Sequence, residues 1–320
     1  MNHGHLILSL DFELYWGVHD KKNISAYLDT ISNVHSVLPK TIDIFDSYDI
    51  CGTFATVGFL FYSDLNELLA ALPSEKPAYI DKTLSPYEKL SQLPEDRLLF
   101  ALDLIQKINR SKRHELGSHT FSHYYCLEEG QDKSAFKVDM EAAINCAKKE
   151  NIQLKSIVFP RNQVNANYLE VLEEMDFNSY RGNENSWFYS PQKGSDESLF
   201  KRGLRLLDSY FNISGHNTYS VGKHNIGLYN FPSSRFLRPY SSSLRWFEPL
   251  RLQRILKSME YAAKNNEVFH LWWHPHNFGS NVEMNFLFLK QILEHYTLLN
   301  AKYGFKSVSM SGLVDKLNNS

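Results

Sequence analysis

Leu6-Ile7-Leu8-Ser9-Leu10-Asp11-Phe12-Glu13, residues 6–13, is the stretch whose reading decides the fold. An almost continuous apolar run ends abruptly in two carboxylates. A short run of this kind reads as a strand buried on both faces, as in parallel α/β sheets. Alternation places Ile7, Ser9, Asp11 and Glu13 on one face. At about 3.3 Å per residue, the α-carbons of the two acids lie roughly 6.5–7 Å apart. Both acids therefore leave the sheet together at the C-terminal end of the first strand.

The same punctuation recurs along the chain. Strands are expected over Thr53–Phe61, Glu115–Ser118, Ser156–Phe159, Phe177–Gly182 (strand or turn), Val268–Trp273 and Lys306–Met310. Helices are expected over 25–48 (capped by Ser25 and kinked at Pro39), 96–110, 134–150, 166–175, 248–264 and 284–301, with a short one at the C-terminus. About seven strands alternating with helices imply a parallel α/β architecture. Asp11, His119, Arg161 and His274 each fall just past a strand's C-terminal end. A barrel gathers such ends at one mouth, which makes it more economical than an open doubly wound sheet. One domain is expected over 1–320, with insertions at about 62–98 and 184–247. In the second of these no periodicity persists.

The chemistry-bearing residues sit at those strand ends. In His119-Thr120-Phe121-Ser122-His123 two histidines four apart share one face of a helical turn and can converge on one ion. One of the two acids, Asp11 or Glu13, would complete the ligand set, and the other would act as a general base. Two histidines and a carboxylate with open positions form a water-activating site. The ligand set favours Zn²⁺, with Mn²⁺, Co²⁺ and Fe²⁺ as alternatives. In Leu271-Trp272-Trp273-His274-Pro275-His276, alternation directs His270, Trp272 and His274 to one face. His274 is then the proton donor at the mouth, His276 its competitor, and His270 a core residue. Arg161, after Phe159-Pro160, would orient the carboxylate base by a charge-assisted fork, and Arg181 is a second candidate. His3, His5, His114, His224 and the three cysteines (Cys51, Cys126, Cys146) read as structural or incidental.

Bulk properties exclude several classes. A net charge of −2 gives no footprint for nucleic acid. The cysteines form no paired framework, which suits a reducing compartment. No run approaches the ~18 apolar residues of a membrane span, and Met1–His5 has no basic signal-peptide region. The expected location is cytoplasmic, and homo-oligomerisation is left open.

These motifs resemble those of the NodB-type polysaccharide deacetylases, carbohydrate esterase family 4. Leu10-Asp11-Phe12-Glu13, His119-Thr120-Phe121-Ser122-His123 and Trp273-His274 follow that family's motifs in order, and Gly52–Gly58 is similar to its second strand. The resemblance implies a distorted, TIM-barrel-related (β/α)7 barrel that hydrolyses an N-acyl group on an amino sugar of a polysaccharide or its precursor. It implies Asp11 as base, Glu13, His119 and His123 as metal ligands, and His274 as acid. Asp-x-Glu is similar to a branch of the family rather than to its commoner adjacent aspartates. Pro160-Arg161-Asn162-Gln163 departs from the usual R-P-P-Y-G, so the oxyanion donor expected near 161–163 has no motif behind it. Rival readings are an amidase, imidase or deformylase on other substrates, a non-catalytic glycan-binding protein, and a non-haem Fe(II) oxygenase. The α/β pattern disfavours the oxygenase.

Overall fold

The computed structural model describes residues 3–194, 198–221 and 227–319. His224 and parts of the 184–247 segment lie outside the described residues. The first half runs β1 (His5–Phe12), α1 (Ser25–Ser32), α2 (Val34–Ser47), β2 (Gly52–Thr56), α3 (Leu65–Ala70), α4 (Leu102–Arg110), β3 (Glu115–Ser118), α5 (Lys133–Lys149) and β4 (Ser156–Val158). Then follow α6 (Leu169–Glu174), β5 (Ser179–Arg181), α7 (Leu199–Asp208), β6 (Tyr229–Asn230), β7 (Arg235–Phe236) and α8 (Glu248–Asn265). The chain ends with β8 (Val268–Trp273), α9 (Val282–Tyr303), β9 (Lys306–Ser307) and α10 (Met310–Asn318).

The strands form one sheet in the order β6-β5-β4-β3-β2-β1-β8-β7, with β9 beside the start of β1. Every ladder in it is parallel. The path curls into a barrel that stays open between β6 and β7 among the described residues. This is the expected distorted α/β barrel.

Alternation along β1 divides its side chains between two cores. Leu6, Leu8, Leu10 and Phe12 join the large layer between sheet and helices. Ile7 faces inward with Ala55, Val158, Phe231 and Val268, and α10 plugs this end with Met310, Leu313 and Val314. Above this apolar floor the inward positions turn polar: Ser9 and Asp11 on β1, Arg181 on β5, His270 on β8. A parallel barrel thus places its polar inner residues at the C-terminal mouth.

Several boundaries differ from expectation. The helical pattern of 25–48 breaks at Asn33, and Pro39 lies inside α2. The strand after Cys51 stops at Thr56, because Gly58 and Phe59 donate backbone bonds to the carbonyls of Thr120 and Phe121. The stretch read as aperiodic contains α7, β6 and β7. No helix among the described residues is long and apolar enough to cross a membrane.

Candidate active site

Glu13 leaves β1 and turns at once into a 3₁₀ segment, Leu14–Gly17. Gly17 is required here: a Cβ at this position would lie 2.0 Å from the Glu13 carboxyl carbon. The folded-back carboxylate places Oε2 3.3 Å from His119 Nε2 and 3.1 Å from His123 Nε2. All three side chains are buried.

The histidine segment is not the expected helical turn. It is an irregular loop in which Thr120 and His123 take left-handed φ values of 62° and 57°. Such backbone is costly for residues other than glycine and persists only where its surroundings impose it. Asp139 on α5 supplies the constraint, accepting from Phe121 N (2.7 Å), Ser122 N (3.2 Å) and Ser122 Oγ (2.5 Å). Burial pushes this carboxyl up to about 7, against the pull of those donors. Thr120 Oγ1 accepts from Tyr124 N, and Gly58 closes onto Phe121 so tightly that a Cβ would lie 2.4 Å from its ring.

The donor set fits a divalent cation. His119 Nδ1 donates to Val158 O at 2.8 Å, which leaves Nε2 as the bare lone pair. That Nε2 is buried without a hydrogen-bond partner and faces a carboxylate oxygen. Two acceptors pointed at each other in a buried site are unfavourable until a cation lies between them. The Val158 carbonyl also fixes the ring orientation, as outer partners of metal-bound histidines do. Burial alone would raise the Glu13 carboxyl; the neighbouring His274, His119 and His123 outweigh it and hold it well below the usual range. Burial lowers His123 to about 4, so its imidazole is neutral and able to ligate.

Asp11 sits beside this group. Arg181 grips it with a fork, Nη1–Oδ1 at 2.7 Å and Nη2–Oδ2 at 2.8 Å. Burial raises the Asp11 carboxyl, but Arg181 and His119 pull it below its ordinary value. Arg181 is itself held by Ser9 Oγ (3.0 Å) and Asn162 Oδ1 (2.8 Å), and stacks over Trp272 at 4.2 Å. Ser9 also contacts His270 Nε2 at 2.8 Å, and burial keeps that imidazole neutral by lowering it to about 3.

Here the expectation for Arg161 is corrected. Its guanidinium pairs with Asp20, lies 3.5 Å from Glu128 and stacks on Tyr125. Arg161 and Asn162 both adopt left-handed backbone, at φ 54° and 53°. This turn sends Arg161 to the rim and directs Asn162 toward Arg181. Of the backbone donors expected near 161–163, the N–H groups of Asn162 and Gln163 are already bonded to the carbonyls of Phe159 and Pro160.

His274 follows β8, with Nε2 3.8 Å from Asp11 Oδ2 and 3.6 Å from Glu13 Oε1. Its Nδ1 donates to Asn277 Oδ1 at 3.1 Å, so Nε2 carries the exchangeable proton position toward the cleft. The side chain is 23% exposed, enough to meet a substrate. His276 stacks on it with ring centroids 5.0 Å apart, but is buried and lowered to about 4. Asp11, Glu13, His119, His123 and His274 thus converge, and Arg161 does not join them. Sequence reasoning missed Ser9, Asn162, Asp139 and Gln163, whose Nε2 donates to Glu128 at 2.7 Å in the cleft wall. Arg181 was present only as a second choice. The alternation that placed Ser9 with Asp11 was available as a signal; nothing local marked the others.

The whole arrangement is an α/β barrel with a Glu-His-His group at its C-terminal mouth, opening into a cleft of about 850 Å³. Its fold is that of the polysaccharide deacetylases. No protein-family model matches the sequence, and no curated protein matches it. A Mycobacterium smegmatis protein assigned as a polysaccharide deacetylase has a TM-score of 0.61 and 11% identity, over 100% of this chain and 92% of its own. The α-amylase AmyC of Thermotoga maritima scores 0.55 at 12% identity, over 98% and 74% of the two chains. Puue allantoinase scores 0.52 at 9% identity, over 91% and 83%. Names this varied on one fold mean that function must be argued from the site.

Proposed function

We propose that the chain is a metal-dependent hydrolase that removes an N-acyl group, acetyl foremost, from an amino sugar of a polysaccharide or its precursor. The observation that carries this reading is the Glu13 Oε2 contact with both His119 and His123, flanked by Asp11 on one side and His274 on the other. Glu13, His119 and His123 would hold the ion. When bound, a divalent ion polarises a carbonyl and lowers the pKa of water, Zn²⁺ being the first expectation for this ligand set.

The chain's own groups account for the proton movements. Asp11, kept ionised by Arg181, accepts a proton from the attacking water. Arg181 holds both carboxylate oxygens, so the base cannot rotate away. His274 delivers a proton from Nε2 to the departing amine, with Asn277 fixing the ring from Nδ1. The retention of both a base and an acid around the ligand set favours catalysis over glycan binding alone, which needs neither.

The test is metal analysis of purified protein, followed by acetate release from N-acetylated sugars, with formate and ring-opened products assayed in parallel. His274→Ala should keep metal content and lower kcat by about 10²–10⁴-fold, the usual range for a general acid. Full activity in that variant on a confirmed substrate removes His274 from the reaction. Formate or a ring-opened product in place of acetate moves the enzyme to the deformylase or imidase readings.

A further inference from the structure

We propose that the cleft wall formed by Arg235 and Arg238 is an anion site that takes a phosphate group carried by the substrate. This deepens the deacetylase reading and names a phosphorylated amino sugar, rather than a neutral chain end, as the substrate class.

Both arginines line the same cleft as Glu13 and His274, and Arg205 lies on the same wall. Arg235 belongs to β7, which pairs with β8 through Arg235↔Leu271 and Phe236↔Trp272. That pairing brings this wall alongside the strand that ends in His274. Between them stands Phe236, with its ring 5.8 Å from His274 and 4.7 Å from Trp272. A sugar lying on Phe236 can direct its N-acyl group toward Glu13 and its phosphate toward the arginines.

The local charges do not balance. Asp208 is buried and accepts from Arg235 Nη1 at 2.9 Å, yet it also lies 3.5 Å from Arg254, so one carboxylate serves two guanidiniums. Arg235 is 3% exposed, and its Nε and Nη2 are buried without a hydrogen-bond partner. Arg238 is half-buried and, among the described residues, has no carboxylate within ion-pair distance. Its charged neighbours are Arg205 and Arg251, the latter paired with Glu248. Glu184 is also buried here, beside Arg235 and Arg181, and burial raises its carboxyl against the pull of both guanidiniums. Unpaired guanidinium N–H groups away from water are costly, and a phosphate fork satisfies them in pairs. A dianion matches the surplus better than a single carboxylate does.

The probe is inorganic phosphate, titrated calorimetrically at low ionic strength into the full chain and into Arg238→Ala, at matched metal content. Kd should rise at least tenfold in the variant, with Arg238→Lys recovering part of the loss. In parallel, kcat/KM for acetate release from N-acetylglucosamine 1-phosphate is divided by that from N-acetylglucosamine. The ratio should exceed 10 in the wild type and fall toward 1 in Arg238→Ala. Equal phosphate affinity in the wild type and Arg238→Ala, or a wild-type ratio near 1, overturns the anion site. Loss of phosphate binding in Arg238→Ala, with no acetate from either sugar, supports the anion site and overturns the deacetylase reading instead. Among the described residues no side-chain hydrogen bond or ion pair of Arg238 is found, and an unchanged melting temperature of Arg238→Ala checks that the fold is kept.

Discussion

At the scale of single residues, the site depends on how two carboxylates are aimed. Asp11 is aimed by a guanidinium. Arg181 contacts both of its oxygens and has its own position fixed by Ser9, Asn162 and the Trp272 ring. Arg181→Ala should therefore lower kcat by about 10²-fold or more, the scale of a misplaced base, while metal content is unchanged. Arg161→Ala should have a much smaller effect on kcat, because its partners are Asp20, Glu128 and Tyr125. Equal losses of kcat in the two variants would return Arg161 to the reaction. Glu13 is aimed by sterics. Gly17→Ala would drive a methyl into its carboxyl group, and metal affinity should fall by about 10–100-fold, as when an orienting partner is lost. Retained affinity on titration would mean that Glu13 is not a ligand. The acids and histidines were legible because strand ends and the H-x-x-x-H spacing mark them. The choice between Arg161 and Arg181 was not, because it turns on two left-handed residues at 161–162 that no side-chain pattern announces.

At the scale of elements, strands were read more accurately than the connections between them. Val268–Trp273 and Glu115–Ser118 have the bounds that alternation and apolarity gave them. The 119–123 connection has no periodicity to read; its shape is imposed by a residue 17 positions on from Ser122. Asp139 on α5 satisfies two loop N–H groups and a hydroxyl, which makes α5 the support of the histidine loop. Asp139→Ala leaves those donors buried and unsatisfied, at about 1–3 kcal/mol for each group. We expect a loss of at least about 3 kcal/mol in chemical denaturation, together with weaker metal binding as the loop relaxes. Asp139→Asn keeps one acceptor oxygen and should fall between the two. If Asp139→Ala binds metal as the wild type does, the histidines hold their places without α5.

At the scale of the whole molecule, one carboxylate ties α7 of the long 184–247 excursion to β7 and α8 of the barrel. Asp208, at the end of α7, accepts from Tyr189 Oη, the Ile213 and Ser214 amides, Ser214 Oγ and Arg235 Nη1. The excursion read as aperiodic for a physical reason: β6 and β7 are two residues each, and α7 leaves Leu199 and Phe200 exposed at 80% and 68%. Pattern reading needs a periodic buried face, and here the buried Phe188, Leu228, Phe231 and Leu237 are scattered among polar contacts. Burial works against the Asp208 charge, but Arg235 and Ser214 outweigh it and lower the carboxyl to about 2. A carboxyl depressed in the folded state adds stability above its unfolded value near 3.9, and that part is lost as pH falls toward 2. The shift of roughly 2 units corresponds to about 2–3 kcal/mol. Stability curves of the wild type and Asp208→Asn should therefore converge by about this amount between pH 4 and pH 2, and run parallel above pH 5. Subtracting the two curves removes the other carboxylates that titrate in the same window. If the difference does not change with pH, Asp208 is not the ionic clamp, and the excursion is held to the barrel by its remaining contacts.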